Sequence, residues 1–267
     1  MQMVSLRRIT RISTTLLATY YAYMLEYRAE LIVWALSGSL PFILMGVWQK
    51  AAANGNFGLT SLEFTRYFLA SYLIRQLTVV WVIWEFEREI NEGKLAFRLL
   101  QPLDPGWHHV WNHISERFAR IPFVAILIAF FFTLYPASFW IPNLTTVLLF
   151  LLSAGCAFTL QFLIQYTLAM LAFWTEKATA LQDMWYIFHL FLSGAIAPIT
   201  VFPESIRKVI TFLPFPYIVN FPASILSRLP VNLTQGFSVI LVWIVIFFTL
   251  NRYLWRKGIK QFSGMGA

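Results

Sequence analysis

Apolar residues along this chain collect into long unbroken runs, at about 31–48, 68–84, 121–135, 144–174, 184–201 and 237–254. With their flanking residues, each run approaches the roughly 20 positions that cross a hydrocarbon layer at ~1.5 Å per residue. Pro41 sits inside the first run and predicts a kink there, which membrane helices tolerate where a neighbour pairs the freed carbonyl. The run over 144–174 is long enough to tilt or protrude. Ahead of the first run, Leu16, Leu17, Tyr20, Tyr21, Met24 and Tyr27 share one helical face behind Arg7, Arg8 and Arg11. That pattern predicts an interfacial helix over about 7–27, and the absence of a small-residue cleavage pattern argues against a signal peptide. Between the last two runs, Pro203, Pro214, Pro216, Pro222 and Pro230 leave no room for a spanning helix. The segment at about 202–235 therefore predicts one or two short external helices at, or dipping into, the membrane surface. The fold class expected is an all-α integral membrane protein, a single transmembrane domain over 1–267 with six transmembrane helices.

Composition agrees with the pattern, since 59% of the 267 residues are hydrophobic and only 12% are charged. A soluble domain carries about a quarter charged residues. The net charge of +8 does not point to nucleic acid, because the basic residues sit at the ends of apolar runs and form no stripe on a polar domain. Counted on alternate loops, Arg7, Arg8, Arg11, Arg88, Lys94, Arg98, Arg117, Arg120, Lys177, Arg252, Arg256, Lys257 and Lys260 fall on one side. The other side receives only Lys50, Arg66, Arg207, Lys208 and Arg228. The positive-inside rule makes the first side cytoplasmic, with both termini on it. Cys156 is the one cysteine, so no intrachain disulfide forms, and it reads as a small residue packed between helices.

The connection after the second run carries the densest charge. Glu85, Glu87, Arg88, Glu89, Glu92, Lys94 and Arg98 make a wet face, Phe86, Ile90, Leu95, Phe97, Leu99 and Leu100 supply apolar anchors, and 102–106 stops the helix. The pattern admits an amphipathic helix resting on the bilayer, or a helix over about 85–106 that docks into a cytoplasmic partner. Within the spans, Arg75 is the costliest residue and reads as facing protein or water near the middle of its helix. Gln161 and Gln165, one turn apart, and His189 complete a set of polar positions that suits a translocation path or helix–helix bonding. His108, His109 and His113 lie near Glu116, but with no cysteine nearby and no HExxH they read as an interfacial polar cluster without metal. No GxxxxGK[ST] loop or GxSxG elbow occurs, so neither nucleotide hydrolysis nor esterase chemistry is expected in this chain.

Residues 92–95, Glu-Gly-Lys-Leu, followed by Leu-Leu-Gln-Pro-Leu at 99–103, resemble the first cytoplasmic loop of ABC-2 type permeases, in the bacterial branch once filed as a domain of unknown function. So do Ser193-Gly194-Ala195 to Pro198 before Phe202-Pro203, then Leu213-Pro214-Phe215, Phe221-Pro222, and the tail from Lys257-Gly258-Ile259 to Gly266-Ala267. The resemblance spans nearly the whole chain. It implies a non-enzymatic permease subunit of an ABC exporter in the bacterial inner membrane; lipids, amphipathic drugs, peptides and polysaccharides are all open as substrate, and the apolar spans tilt the expectation to a hydrophobic or amphipathic one such as a drug or lipid. It further implies a separate ABC ATPase holding ATP and Mg, contacted through Ile90, Glu92, Gly93, Lys94, Leu95, Arg98 and Leu99. A second, homologous permease is expected as partner, more readily a heterodimer than a homodimer, with membrane lipid around the pair. Gln101 departs from the basic or other polar residue that relatives often carry there. An autonomous channel or secondary transporter is the alternative, and the internal repeat it calls for is not visible in the sequence.

Overall fold

The computed structural model describes residues 6–55, 57–175 and 177–262, and among them the chain is wholly helical apart from turns and connections. The tail residues up to Gly266 and Ala267 lie outside the described residues. Helix α1 (Leu6–Glu26) packs along the first half of α7 (Pro105–Leu134). Leu16, Leu17, Tyr20 and Met24 turn towards protein there, whereas Tyr21 and Tyr27, expected on the same face, are exposed. Ser115 Oγ donates to the Leu17 carbonyl at 3.1 Å and fixes the crossing.

Five helical stretches are long and apolar enough to cross a membrane, covering 28–54, 61–91, 105–134, 144–173 and 233–261. The first two are each broken, which the continuous runs in the sequence did not suggest. The first divides into α2 (Arg28–Ser37) and α3 (Leu40–Asn54) at Gly38 and Ser39. Pro41 therefore opens a new helix, where its missing N–H costs nothing, in place of kinking a continuous one. The Ala35 carbonyl freed by this break accepts from the Tyr72 hydroxyl and the Gln76 carboxamide, each at 3.3 Å. The second divides into α4 (Ser61–Thr78) and α5 (Val82–Asn91) across Val79, Val80 and Trp81. Thr60 caps α4 with a reciprocal Thr60–Glu63 box. The fourth stretch is α8 (Leu144–Ala169) with a 3₁₀ extension at Met170–Phe173, and the last is α12 (Leu233–Gln261).

The span expected at 184–201 is instead α9 (Thr179–Leu192), which starts earlier and stops sooner. Its 14 residues rise about 21 Å, short of a ~30 Å hydrocarbon layer. It ends because Gly194 adopts φ +90, and the backbone then runs open to a 3₁₀ turn at Ile199–Val201. Side chains close the hydrogen-bond account of that open stretch. The Tyr67 hydroxyl lies 2.8 Å from the Gly194 carbonyl and 3.0 Å from Asn220 Oδ1, and the same Asn220 oxygen accepts from Ile199 N at 3.1 Å. Trp48 Nε1 donates to the Ile196 carbonyl at 2.8 Å.

Beyond it, α10 (Glu204–Ile210) is largely exposed, a 3₁₀ turn covers Phe215–Tyr217, and α11 (Asn220–Ser227) is buried. The expected surface-lying segment is thus half interior: Phe221, Ala223, Ile225 and Leu226 join Phe64, Tyr67, Phe68 and Ile74 of α4 and Leu160 and Ile164 of α8 in the main core. The proline-rich sequence obscured this because its helices are too short for a clear apolar period. A second core lies where Phe86, Ile90 and Leu95 meet Phe162, Tyr166, Met170 and Phe173.

Gly194 cannot carry a side chain: a Cβ there would lie 2.6 Å from Asn220 Cβ and 2.6 Å from the Tyr67 hydroxyl. Gly194→Ala is expected to destabilise by about 2 kcal/mol in thermal or denaturant unfolding of detergent-solubilised protein. Gly155→Ala, in α8 with nothing within 4 Å of the new methyl, should stay within about 1 kcal/mol of the native chain, on the stabilising side.

Candidate functional site

The charged connection predicted from sequence is three helices. At the end of α5, Gly93 takes φ +70, a conformation that costs glycine nothing, and turns the chain into α6 (Lys94–Leu99). Positions two apart on a helix point in nearly opposite directions. Leu95 is 0% exposed and locked into the second core, while Phe97 is 71% and Leu100 84% exposed. Beside them Glu92 and Lys94 form an exposed ion pair. Of the seven residues assigned to partner contact, Ile90 and Leu95 thus face into the chain, Gly93 makes the turn, and Arg98 and Leu99 are half-buried. Phe97 and Leu100, read only as anchors, are the apolar side chains that project outward.

Arg98 is the first member of a chain of alternating charges that runs beneath α6. It binds Glu89 at 2.7 and 2.8 Å. Burial would depress the guanidinium, but the Tyr20 hydroxyl and Glu89 hold its pKa above the ordinary value, so it remains a fixed cation. Glu89 Oε2 lies 3.4 Å from His109 Nε2, and His109 Nδ1 lies 3.1 Å from Glu85 Oε2. Glu85 continues to His113 Nε2 at 3.7 Å, His113 Nδ1 to Glu116 at 3.5 Å, and Glu116 binds Arg120. Asn112 donates to the second Glu85 oxygen at 3.0 Å. His108 stands apart: its Nδ1 meets the Tyr20 hydroxyl at 3.1 Å and its Nε2 meets Gln101 Oε1 at 2.8 Å. One tautomer, with hydrogen on Nε2, satisfies both bonds. The chain therefore joins α6 and α5 to the first half of α7 through alternating carboxylates and nitrogen side chains, while Glu89 Oε2, His109 Nε2 and both His113 nitrogens are buried without a hydrogen bond.

Above this network, a cavity of about 370 Å³ opens between the α4–α5 junction, α8 and α9. Arg75, Gln161, Gln165 and His189, the four polar positions singled out from sequence, all line it. Arg75 stands in the last turn of α4, because the helix ends at Thr78 and does not continue through the run. Among the described residues no carboxylate lies within 4 Å of it.

The family model described as ABC-2 family transporter protein matches residues 55–266. The chain belongs to the ABC-2 transporter family. It is a membrane permease of an ABC transporter, a multi-pass transmembrane component that is not itself catalytic and that associates with an ABC ATPase. No curated protein matches the chain. The matched region of this ABC-2 permease takes in the α4–α5 break, α6, the charge chain and the cavity.

Sequence reasoning missed two parts of the permease. Gln182, Asp183, Trp81, Trp84, Trp185 and Tyr186 also line the cavity; the first two fall just ahead of the span drawn at 184–201, so its misplaced start concealed them. Arg117, counted only as a loop positive charge, fastens the break in the second span. It donates to the carbonyls of Leu77, Val79 and His113, and its guanidinium lies 4.2 Å from the Phe158 ring. A basic residue one apolar helix away from a β-branched Thr-Val-Val sequence carries no recognisable spacing signal.

Removing Arg117 leaves two carbonyls at the break without donors. Arg117→Met in the ABC-2 permease is expected to cost about 3 kcal/mol in unfolding free energy. Arg75→Met, which removes no ion pair seen among the described residues, should cost less than about 1 kcal/mol. Equal losses for the two would contradict their assigned roles.

Proposed function

We propose that this permease is a subunit of an ATP-driven exporter, with α6 as the helix through which its ATPase moves it. The observation that carries this reading is the outward pair Phe97 and Leu100 beside the charged rim of Glu92 and Lys94. Two large apolar side chains on a charged surface suit a groove in a soluble partner, whose centre supplies most of the affinity. ATP and Mg belong to that partner.

A push on α6 has a defined route. Leu95 ties α6 to α5 and Arg98 ties it to Glu89, so α5 moves with it. Because α5 is separate from α4, it can pivot at 79–81 without bending the core helix, and Trp81 and Trp84 at its start form part of the cavity wall. The cavity, open at one side beside the exposed apolar face of α9, suits a hydrophobic or amphipathic cargo. A second homologous permease completes the path, with a heterodimer as the expected pairing, in a bacterial cytoplasmic membrane; α9 and the open stretch that follows it to Val201 together make a sixth crossing, which leaves both termini inside. The charge asymmetry of the loops supports that orientation.

Phe97→Asp with Leu100→Asp is expected to reduce ATPase retention in copurification more than tenfold, at about 2 kcal/mol or more for a central docking residue. Membrane insertion should be unchanged. Leu95→Asp, by contrast, buries a carboxylate and should lower the yield of folded protein. Retained ATPase and native transport in the double variant would overturn the docking role. For orientation, Ser205→Cys on a Cys156→Ala background should react with an impermeant maleimide from outside intact cells, and Gln101→Cys should not; the opposite pattern reverses the topology.

A further inference from the structure

The cavity between α4, α8 and α9 has a largely apolar lining that includes polar groups the protein itself does not satisfy. The carboxamide oxygens of Gln161, Gln165 and Gln182, together with Trp185 Nε1 and His189 Nδ1, are shut off from solvent and have no hydrogen-bond partner. All five residues line the cavity, and the three glutamines are 7%, 3% and 4% exposed. Buried polar groups are normally paired, and those left open are costly, so several around one cavity, from α8 and α9, mark a place where something else supplies the bonds. Arg75 adds a permanent cation whose planar fork fits two oxygens of a phosphate or carboxylate. Asp183, the acid on the lining, is exposed and so sits where solvent screens it.

The same wall is selective about what enters. A bare phosphate brings acceptors for Arg75 but no donor for the amide oxygens. A quaternary ammonium head brings no N–H at all. A hydroxyl offers one donor and two acceptors, and so matches either end of a carboxamide. The mouth is apolar: Trp84 and Tyr186 are exposed on it, and Ile187, Phe188 and Phe191 are exposed along α9 beside it. A hydrocarbon tail can stay against that face while the head occupies the polar interior.

We propose that this cavity binds an anionic, hydroxyl-bearing amphiphile, with its anionic group on Arg75, its hydroxyls on Gln161, Gln165 and Gln182, and its tail along α9. The assignment rests on reading the cavity as the cargo site of the permease. It names the chemistry of that cargo.

The test uses the full chain in phosphatidylcholine nanodiscs, titrated with short-chain phosphatidylglycerol, phosphatidic acid and phosphatidylcholine, with fluorescence of the cavity tryptophans as readout. Phosphatidylglycerol is expected to bind at least about tenfold more tightly than either of the others. Arg75→Gln should bring it down to the phosphatidylcholine level, and Gln165→Leu should weaken phosphatidylglycerol while leaving phosphatidic acid unchanged. Equal affinity for phosphatidylglycerol and phosphatidylcholine in the native chain would overturn the proposal without any variant having to fold. So would an Arg75→Gln chain that keeps the preference. Competition by tail-less glycerol 3-phosphate as strong as by the lipid would overturn the amphiphile assignment. None of these results bears on ATPase retention, which tests the docking role separately.

Discussion

Every interruption of a helix in this protein exposes backbone groups where lipid offers them no partner, and the rest of the structure is arranged around supplying those partners. Irregular backbone at membrane depth persists only where protein or a watery cavity covers it. Among the described residues, three interruptions break or end the apolar runs without a long connecting loop, at 38–39, 79–81 and 193–198. Tyr72 and Gln76 serve the first, Arg117 the second, and Tyr67, Trp48 and Asn220 the third. Two of the three draw on α4. This explains why a helix at the centre of an apolar core carries two tyrosines and a glutamine on buried positions.

The interruptions also place the functional parts. The break at 79–81 separates α4 from α5, which leads to α6, the proposed docking helix, at one end and to cavity tryptophans at the other. The earlier start of α9 puts Gln182 on the same cavity as His189, Gln161 and Gln165. Between α5 and α7, the alternating charges from Arg98 to Arg120 do more to specify alignment than to add net stability, because buried ion pairs roughly offset the cost of removing them from water.

Legibility from sequence followed the length of each pattern. The long stretch at 144–174 emerged as α8 with its 3₁₀ extension, and the all-helical membrane class needed nothing beyond composition and run length. Arg75, Gln161, Gln165 and His189 could be picked out because polar residues in apolar runs are conspicuous, and they proved to share one cavity. What could not be read was where runs break without proline or glycine. Thr78, Val79 and Val80 are ordinary membrane-helix residues, and it is the guanidinium of Arg117, distant in sequence, that pairs the open Leu77 and Val79 carbonyls. In α6 the period was too short to orient: Leu95 and Phe97 look alike in sequence, yet one is in the core and the other projects outward.

The claim that side chains hold the open backbone is tested most directly by a double-mutant cycle between Tyr67→Phe and Asn220→Ala, read by reversible unfolding in detergent. The two residues meet at 3.0 Å and share the support of the stretch after α9. If they act as one unit, the two losses should fall short of additivity by about 1 kcal/mol or more. Losses that simply add, within about 0.3 kcal/mol, would mean that the stretch is held by something other than this Tyr67–Asn220 unit.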